Sequence, residues 1–222
     1  MTALSVHPDA EAAARAAADR VAGAIERARG ERGVAHLVLA GGTTPRRAYE
    51  LLAADGLDWS NVHLWCGDER SVPLDDPESN YRMMRESLLD PAGIPPEQVH
   101  PIDGEANPEE AARAYAAALP ERLDLALLGL GEDGHTAGLF PGDPRLEDPA
   151  PVRVVERSKP PPRGITLGLP VLRAARERII LAAGAGKADA VAAVMRGPDP
   201  AYPASLVDAE LIVDEAAAER AR

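Results

Sequence analysis

Four short polar segments, each following an apolar run, carry the side chains best suited to chemistry. The third of them contains His135, which follows Gly134 and stands two residues after Asp133. A histidine with its ordinary pKa near about 6.5 can take up and return a proton at neutral pH. A carboxylate beside it can orient the ring. We therefore predict that His135 is a general base assisted by Asp133, against the alternative of an inert loop histidine.

The first segment is a turn rich in glycine and threonine that is suited to binding a phosphate. Gly41 and Gly42 allow a tight turn with exposed N–H groups. Thr43 and Thr44 add hydroxyl groups, and Pro45 is favoured in the first turn of a helix. A helix start attracts anions, because its amides are free and its dipole is positive there. The alternative is an ordinary turn in which Thr44 caps the helix.

The second and fourth segments supply cations. Asp68, Glu69 and Arg70 follow an apolar run, so we expect them to face the mouth of a cleft or solvent rather than a core. Arg70 can bind a phosphate or polarise a carbonyl group, and Asp68 can hold a sugar hydroxyl. Lys187 follows Gly-Ala-Gly at a predicted helix start, where a cation is unfavourable unless an anion binds. Surface ion pairs are the alternative for both segments.

The apolar runs before these segments predict the sheet that positions them. Their apolar character is nearly continuous, as in strands that are covered on both faces. The predicted strands are 34–40, 61–66, 123–130, 178–183 and 210–213. The predicted helices are 9–29, 45–54, 79–90, 108–119 and 187–196. This alternation predicts an α/β protein with an open, mostly parallel Rossmann-like sheet and helices on both faces, whose ligands bind beyond the carboxyl ends of the strands.

The sequence contains the letters of a dinucleotide-binding fingerprint but not the predicted helix that such a site needs. Residues 129–134 match G-x-G-x-x-G, but that fingerprint needs a crossover helix after its third glycine. Prolines crowd residues 141–163, where we expect no helix and one short strand at 152–155. The segment before Lys187 lacks the spacing of an ATP-binding loop. No histidines and cysteines have metal-ligand spacing, so the sequence indicates no metal site.

The composition excludes several classes of partner. The 222 residues suit a single domain, 1–222, and carry a net charge of −12, which repels nucleic acid and anionic membranes. No run approaches the length of a membrane-spanning helix, and charged residues interrupt the first 20 positions as they would not in a signal peptide. Cys66, the one cysteine, suits a reducing compartment. We expect a cytoplasmic protein that is a monomer or a weak homo-oligomer.

Taken together, the four segments resemble the 6-phosphogluconolactonase family over nearly the whole chain. The G-D-E-R and G-x-D-G-H-T-A elements are specific in combination. The matching segments are AGGTTPRRAYELL (40–52), HLWCGDERSVPLDDPESNYRM (63–83), LDLALLGLGEDGHTAGLFPG (123–142), ITLGLPVL (165–172) and AGAGK (183–187). The resemblance implies hydrolysis of 6-phospho-D-glucono-1,5-lactone to 6-phosphogluconate, the second step of the pentose phosphate pathway, without a cofactor.

The resemblance also implies a role for each matching residue. His135 would deprotonate the attacking water with Asp133 nearby, and Asp68 would line the sugar site. Arg70 and Lys187 would bind the phosphate or stabilise the developing oxyanion. The first turn would hold the ligand through Gly42, Thr43 and Thr44.

The chain departs from the family pattern near the expected ligand rim. Gly138 stands where a serine is usual after H-T-A. The usual R-I-T-L-T reads Arg163-Gly164-Ile165-Thr166-Leu167-Gly168 here, and Arg173 replaces a customary asparagine. We therefore assign no site role to Arg163 or Arg173, and we expect these changes to affect the rim more than the base.

Three alternatives stay open on the sequence. A glucosamine-6-phosphate deaminase would carry a glutamate shortly after the D-G-H loop, but 139–142 reads Leu-Phe-Pro-Gly. A non-catalytic sugar-phosphate-binding module of a transcription regulator would need a basic helix-turn-helix, whereas the first 30 residues offer one mixed-charge helix. A lactonase that has lost its activity is the third alternative.

Overall fold

The computed structural model describes residues 2–157 and 160–221, and its core is a parallel sheet. The strands in that part of the chain, numbered in order, are Leu4–His7 (β1), Ala35–Leu39 (β2), Val62–Cys66 (β3), Asp68–Arg70 (β4), Val99–His100 (β5), Leu125–Gly129 (β6), Val152–Glu156 (β7), Arg163–Leu167 (β8), Glu177–Ala182 (β9) and Glu210–Asp214 (β10). Seven of them form one sheet in the order β1–β10–β9–β6–β2–β3–β5, with every neighbouring pair parallel. The predicted fold class is confirmed.

Helices connect these strands and flank the sheet. They are Ala10–Arg32 (α1), Thr43–Ala54 (α2), Asn80–Met84 (α3), which continues as a π-helical turn over Arg85–Leu89, Pro108–Ala118 (α4), Leu169–Ala174 (α5) and Ala188–Met195 (α6). The first begins where the Asp9 carboxylate accepts a hydrogen bond from the Ala12 amide, and it ends at Gly33 in the left-handed conformation. Its alanine-rich face, which includes Ala13, Ala17 and Ala28, is buried against the sheet and α2.

The central strands are buried on both faces, as their sequences predict. Leu37 and Leu39 of β2, and Leu125 and Leu127 of β6, are almost inaccessible to solvent. Each such side chain contributes about 1.5–3 kcal/mol to stability by leaving water. A rigid centre of this kind fixes the loops that follow β2 and β6.

The order of the strands reverses direction between β2 and β6. On one side of this point the sheet continues from β2 to β3 and β5. On the other side it continues from β6 to β9, β10 and β1. The connections therefore leave on opposite sides at this point and open a crevice at the carboxyl edge, which is where open α/β sheets bind ligands. The loops carrying Gly41 and His135 follow these two strands.

A second, three-stranded antiparallel sheet, β4–β8–β7, lies beside the main one and was predicted only in part. The expected strand at 152–155 is β7, but β4 and β8 were missed. The sequence of β4 is Asp-Glu-Arg, which lacks strand propensity, and β8 begins with Arg-Gly before its strand-favouring Ile165 and Thr166. Tertiary pairing decides here, with Arg70 opposite Gly164 and Asp68 opposite Thr166.

The proline-rich region contains no helix in its described residues, 141–157 and 160–163, as predicted. Positions 158 and 159 of that prediction lie outside the described part of the chain. The interpretation of 129–134 also agrees with the structure, because no crossover helix follows the third glycine. Across residues 2–157 and 160–221, no helix combines the length and apolar character needed to span a bilayer. The single domain, 1–222, stays a prediction.

Candidate active site

The predicted site residues line one cleft at the carboxyl edge of the sheet. An inner chamber of about 230 Å³ is bounded by Gly41–Thr44 and an outer chamber of about 640 Å³ opens beside Asp133. The two chambers share six lining residues, Asp68, Arg70, Gly131, His135, Ala137 and Lys187. Because the chambers share a wall, groups from four separate strand ends can contact one ligand.

His135 is held by Asp133 in a short loop after β6. Its Nδ1 lies 2.6 Å from Asp133 Oδ1, and its backbone N–H donates to the same oxygen at 3.1 Å. Gly131 makes this pairing possible, because a Cβ there would lie 2.0 Å from His135 Nδ1 and 2.5 Å from Asp133 Oδ1. The imidazole is 36% exposed, so it is open to the cleft while its orientation is fixed.

The bonding of the ring defines its tautomer. Burial opposes ionisation of Asp133, but the hydrogen bonds from the His135 backbone and ring outweigh it and lower the pKa of the carboxyl. An ionised Asp133 accepts a hydrogen bond from Nδ1–H, which leaves Nε2 with its lone pair free. Phe140 packs near the imidazole, with ring centroids 5.0 Å apart. This is the arrangement that a general base needs.

The loop after β2 presents the start of α2 to the inner chamber. The helix begins at Thr43, with Gly42 at the cap position in a left-handed conformation, so the alternative that Thr44 caps the helix is wrong. The amides of the first turn have no partner within the helix. Tyr49 anchors the loop from below by donating to the Ala40 carbonyl at 2.8 Å. The turn can therefore offer N–H and hydroxyl donors to an anion.

Gly41 is required for a different reason. A Cβ at this position would lie 1.9 Å from Oδ1 of Asn80, whose side chain lines the inner chamber and donates to the Asp68 carbonyl at 2.9 Å. Asn80 was not among the predicted site residues. The structure shows that it packs the first turn against the loop after β3.

Glu69 corrects the expectation that all three charges after β3 face the mouth or solvent. Its side chain is buried and accepts hydrogen bonds from the backbone N–H groups of Arg70, Asn80 and Tyr81 and from the Ser79 hydroxyl. Burial raises the pKa of this carboxyl, while those four donors act against the rise. Glu69 thus ties β4 to the start of α3 and fixes its neighbours in the cleft.

Asp68 and Arg70, the two neighbours of Glu69, both reach the cleft. Burial raises the pKa of Asp68, opposed by the positive charges of Arg70, His135 and Arg157. Arg70 donates to the Glu78 carbonyl through Nη1, and its buried Nε has no hydrogen-bond partner in the described part of the chain. The guanidinium is consequently fixed in place with donor capacity left for a ligand.

Lys187 enters the cleft from the opposite side, at the end of the 3₁₀ turn Ala185–Lys187 that follows β9. Within the described residues no carboxylate lies within ion-pair distance of its ammonium group. The side chain of Glu132 approaches this turn, since a Cβ on Gly186 would lie 2.7 Å from Oε1 of Glu132. A lysine without a carboxylate, at a helix start in a protein of net charge −12, is suited to hold an anion.

The departures from the family pattern lie mostly away from the cleft. A Cβ at Gly138 would lie 2.7 Å from Cβ of Thr166, and one at Gly168 would lie 2.1 Å from the Ala150 carbonyl oxygen. Arg173 donates to the Leu206 carbonyl. The expectation that these three affect the rim is wrong, because packing explains them and none lines either chamber.

Arg163 lies outside the cleft, whereas Arg157 lies within it. Arg163 pairs with Glu109 and Glu156 outside the cleft, which agrees with assigning it no site role. Arg157 lines the outer chamber and was missed. It follows β7, and no pattern in the sequence of that strand indicates that the next residue enters a cleft. Only the fold reveals its position.

Metal binding has no structural counterpart in the described chain. Among residues 2–157 and 160–221, no group of three or more histidine, cysteine, aspartate or glutamate side chains is arranged to hold a metal ion. Cys66 is buried, and burial raises the pKa of its thiol well above the ordinary value. It is a core residue.

Fold and site together define the class: a Rossmann-like α/β protein whose ligand cleft, at the switch point of its sheet, contains Arg70, Lys187 and a histidine paired with a carboxylate. Comparison with known proteins gives the family. The chain matches the model of glucosamine-6-phosphate isomerases/6-phosphogluconolactonase over residues 8–213. It belongs to this family.

Three of the proteins similar to this chain are named 6-phosphogluconolactonase. A 6-phosphogluconolactonase of Mycobacterium tuberculosis is 42% identical over 217 residues, covering 90% of this chain and 88% of the relative. One of Streptomyces coelicolor is also 42% identical, covering 87% and 83%. The structure of 6-phosphogluconolactonase from Trypanosoma brucei superposes with a TM-score of 0.90 at 30% identity, over 100% of this chain and 99% of that one.

Proposed function

We propose that this chain is a 6-phosphogluconolactonase, which hydrolyses 6-phospho-D-glucono-1,5-lactone to 6-phosphogluconate in the pentose phosphate pathway. The observation that carries the proposal is the His135–Asp133 pair, joined at 2.6 Å inside a cleft that also contains Arg70 and Lys187. Ester hydrolysis by water needs a base, a donor for the oxyanion and a site that holds the substrate. Family membership and the names of the relatives support the same activity.

The reaction begins with proton transfer to His135. Its Nε2 removes a proton from water as the water oxygen attacks the lactone carbonyl carbon, and the carbonyl π electrons move to oxygen. Asp133 stabilises the imidazolium that forms, because its lowered pKa keeps it ionised. General-base catalysis of this kind contributes about 10²–10⁴-fold.

The second half of the reaction opens the ring. The oxyanion re-forms the carbonyl group and expels the ring oxygen, which takes the proton back from the imidazolium and becomes a hydroxyl group. Arg70 and Lys187 bind the phosphate or stabilise the oxyanion, and a donor at the oxyanion is worth about 10²–10³-fold. The Gly41–Thr44 turn holds the ligand, and Asp68 accepts a hydrogen bond from a sugar hydroxyl.

The glucosamine-6-phosphate isomerase activity also named in the family model, and with it the deaminase alternative, is less well supported. Ring opening of an amino sugar phosphate would need a further acid near His135, and Leu139–Gly142 supplies none. Phe140 occupies that wall of the outer chamber. A non-catalytic binding module would not need a histidine oriented by a carboxylate.

The setting of this reaction is part of the proposal. We place the enzyme in the cytoplasm, supported by its single buried cysteine and its acidic composition, acting on a small phosphosugar lactone without a nucleic-acid partner. The monomer or weak homo-oligomer stays a prediction.

A lactonase assay on three proteins tests the proposal. The lactone is generated in situ and its disappearance is compared with spontaneous hydrolysis, for the wild type, His135→Ala and His7→Ala. His7 is the matched control, a half-buried histidine outside the cleft that contacts Ser5. We expect His135→Ala to lower kcat about 10²–10⁴-fold with an unchanged circular dichroism spectrum, and His7→Ala to match the wild type. Full activity of His135→Ala would disprove the mechanism, and an inactive wild type the function.

A further inference from the structure

Arg157 is a cleft residue to which the proposed mechanism gives no role. It follows β7 and is half-buried in the wall of the outer chamber, which it shares with Arg70, His135 and Lys187. Position alone does not make it a ligand-binding residue, so its bonding and its neighbours matter.

The Arg157 guanidinium has no carboxylate partner. In residues 2–157 and 160–221, its one side-chain hydrogen bond runs from Nη1 to the Pro161 carbonyl oxygen at 3.0 Å, and it forms no ion pair. The neighbouring arginines behave differently: Arg153 pairs with Asp143, and Arg163 with Glu109 and Glu156. In a chain with 36 acidic residues, an arginine that faces a cavity without such a pair retains donors for something else.

A second guanidinium lies close enough to repel it. Burial, and after it the charge of Arg70, lowers the pKa of Arg157, while Asp68, Glu78 and Glu69 act in the opposite direction. The positive charges of Arg70 and Arg157 both act to lower the pKa of Asp68. Two like charges at one cavity wall cost free energy, and a bound anion offsets that cost.

Gly164 gives the side chain of Arg157 its route. A Cβ at this position would lie 3.4 Å from Cδ of Arg157 and 2.7 Å from the Glu69 carbonyl oxygen. Gly164 is also the cross-strand partner of Arg70. The stem of Arg157 therefore passes over the residue opposite Arg70, and this brings both guanidinium groups to the same wall.

We infer that Arg157 is a substrate-binding residue that acts with Arg70 to grip the phosphate group of the substrate from the outer chamber. A guanidinium presents a planar fork of N–H donors that matches phosphate oxygens, and it stays charged at every physiological pH. Two such groups with spare donors suit a dianion better than a neutral sugar. The identity of the substrate rests on the proposed function, whereas the preference for a phosphate group does not.

Steady-state kinetics test the inference with Arg157→Gln, Arg157→Lys and the control Arg196→Gln. Arg196 is exposed at the end of α6 and lines neither chamber. Loss of a charge-assisted hydrogen bond is expected to raise KM for the phosphorylated lactone about 10- to 100-fold while kcat changes less than about threefold. Arg157→Lys should recover part of the loss, and Arg196→Gln should match the wild type.

Two further measurements separate recognition from a structural role and from the reaction itself. With glucono-1,5-lactone, which has no phosphate, Arg157→Gln should keep the kcat/KM of the wild type, and an equal loss on both lactones would overturn the inference. Calorimetric titration with 6-phosphogluconate needs no turnover and should show the same weakening. If the wild type bound 6-phosphogluconate through Arg157 but hydrolysed no lactone, the proposed function would be wrong and this inference would stand. If Arg157→Gln kept the wild-type KM for the phosphorylated lactone and the wild-type affinity for 6-phosphogluconate, this inference would be wrong and the proposed function would stand.

Discussion

The same residue type occupies two contrasting environments in this molecule. His135 stands alone in an open loop, with a carboxylate on one nitrogen and the cleft before the other. The second environment is a histidine cluster, defined here as His36, His63 and His100, which lies on adjacent strands β2, β3 and β5. There the rings stack on one another with centroids 5.1 and 5.2 Å apart.

The partners of each ring explain the difference in use. His63 Nδ1 and His100 Nε2 share a hydrogen bond of 3.0 Å, and Trp65 stacks on His100 at 3.8 Å. Within the described residues, each ring of the cluster shares a hydrogen bond with another aromatic side chain rather than with a carboxylate, and a positive charge on one ring repels a charge on the next. A histidine becomes a base only where one nitrogen is held by an anion and the other is left open.

Removing the anion from His135 is the most severe way to break this contrast. Asp133→Asn keeps the size of the side chain but can no longer fix the Nδ1–H tautomer or stabilise the imidazolium. We expect kcat to fall about 100-fold while KM stays near that of the wild type. The lactonase assay, corrected for spontaneous hydrolysis, measures both.

Glu132→Gln is the matched control for that variant. It removes a charge from the same loop and the same chamber without touching the imidazole. An equal fall in kcat for both variants would mean that the charge of the loop matters rather than the pairing.

Much of the fold and part of the site follow from the sequence, for a local reason. Strands β2 and β6 are continuous apolar runs, so their ends and the polar loops after them are visible as letters. Because parallel strands end at a common edge, the loops carrying Gly41 and His135 had to meet. The role of His135 as a base was predicted because three other polar segments of matching type accompany it in the sequence.

The remainder depends on pairing between distant segments. Strand β4 consists of three charged residues, and only its partner β8 makes it a strand. Glu69 is buried because four donors converge on it from the loop and the helix that follow, and no single window of sequence predicts that convergence. Arg157 reaches the cleft over Gly164, across two strands that were not both predicted.

Acidification sharpens the comparison by acting on stability through the histidine cluster. Burial, then the charge of His63, lowers the pKa of His36, although Asp124 opposes this. Burial, then the charges of His63 and His36, lowers the pKa of His100. The unfolded chain therefore takes up protons first as pH falls through about 6.5, and the free energy of unfolding decreases. Because these rings are half-exposed and screened by solvent, we expect a small loss of stability between about pH 7.5 and 5.5.

Urea denaturation at several pH values measures this effect by difference. The double variant His36→Gln/His100→Gln should show a flatter dependence than the wild type, because glutamine does not titrate. His7→Gln is the control and should keep the wild-type slope. If the double variant lost stability with acid as steeply as the wild type, the cluster would not be the titrating element.

The smallest expected effect concerns the aromatic neighbour of each environment. Phe140 contacts the His135 ring at a tilt, with 5.0 Å between centroids, and lies half-buried at the rim, so Phe140→Leu keeps apolar volume but loosens the base. Such contacts are worth about 0.5–1.5 kcal/mol, so we expect kcat to fall about two- to tenfold with little change in the thermal midpoint. Trp65→Leu, at a buried position beside the cluster, should do the reverse, lowering the midpoint while kcat stays within about twofold. A fall in kcat for Trp65→Leu equal to that for Phe140→Leu would show that the two environments are coupled through the sheet rather than independent.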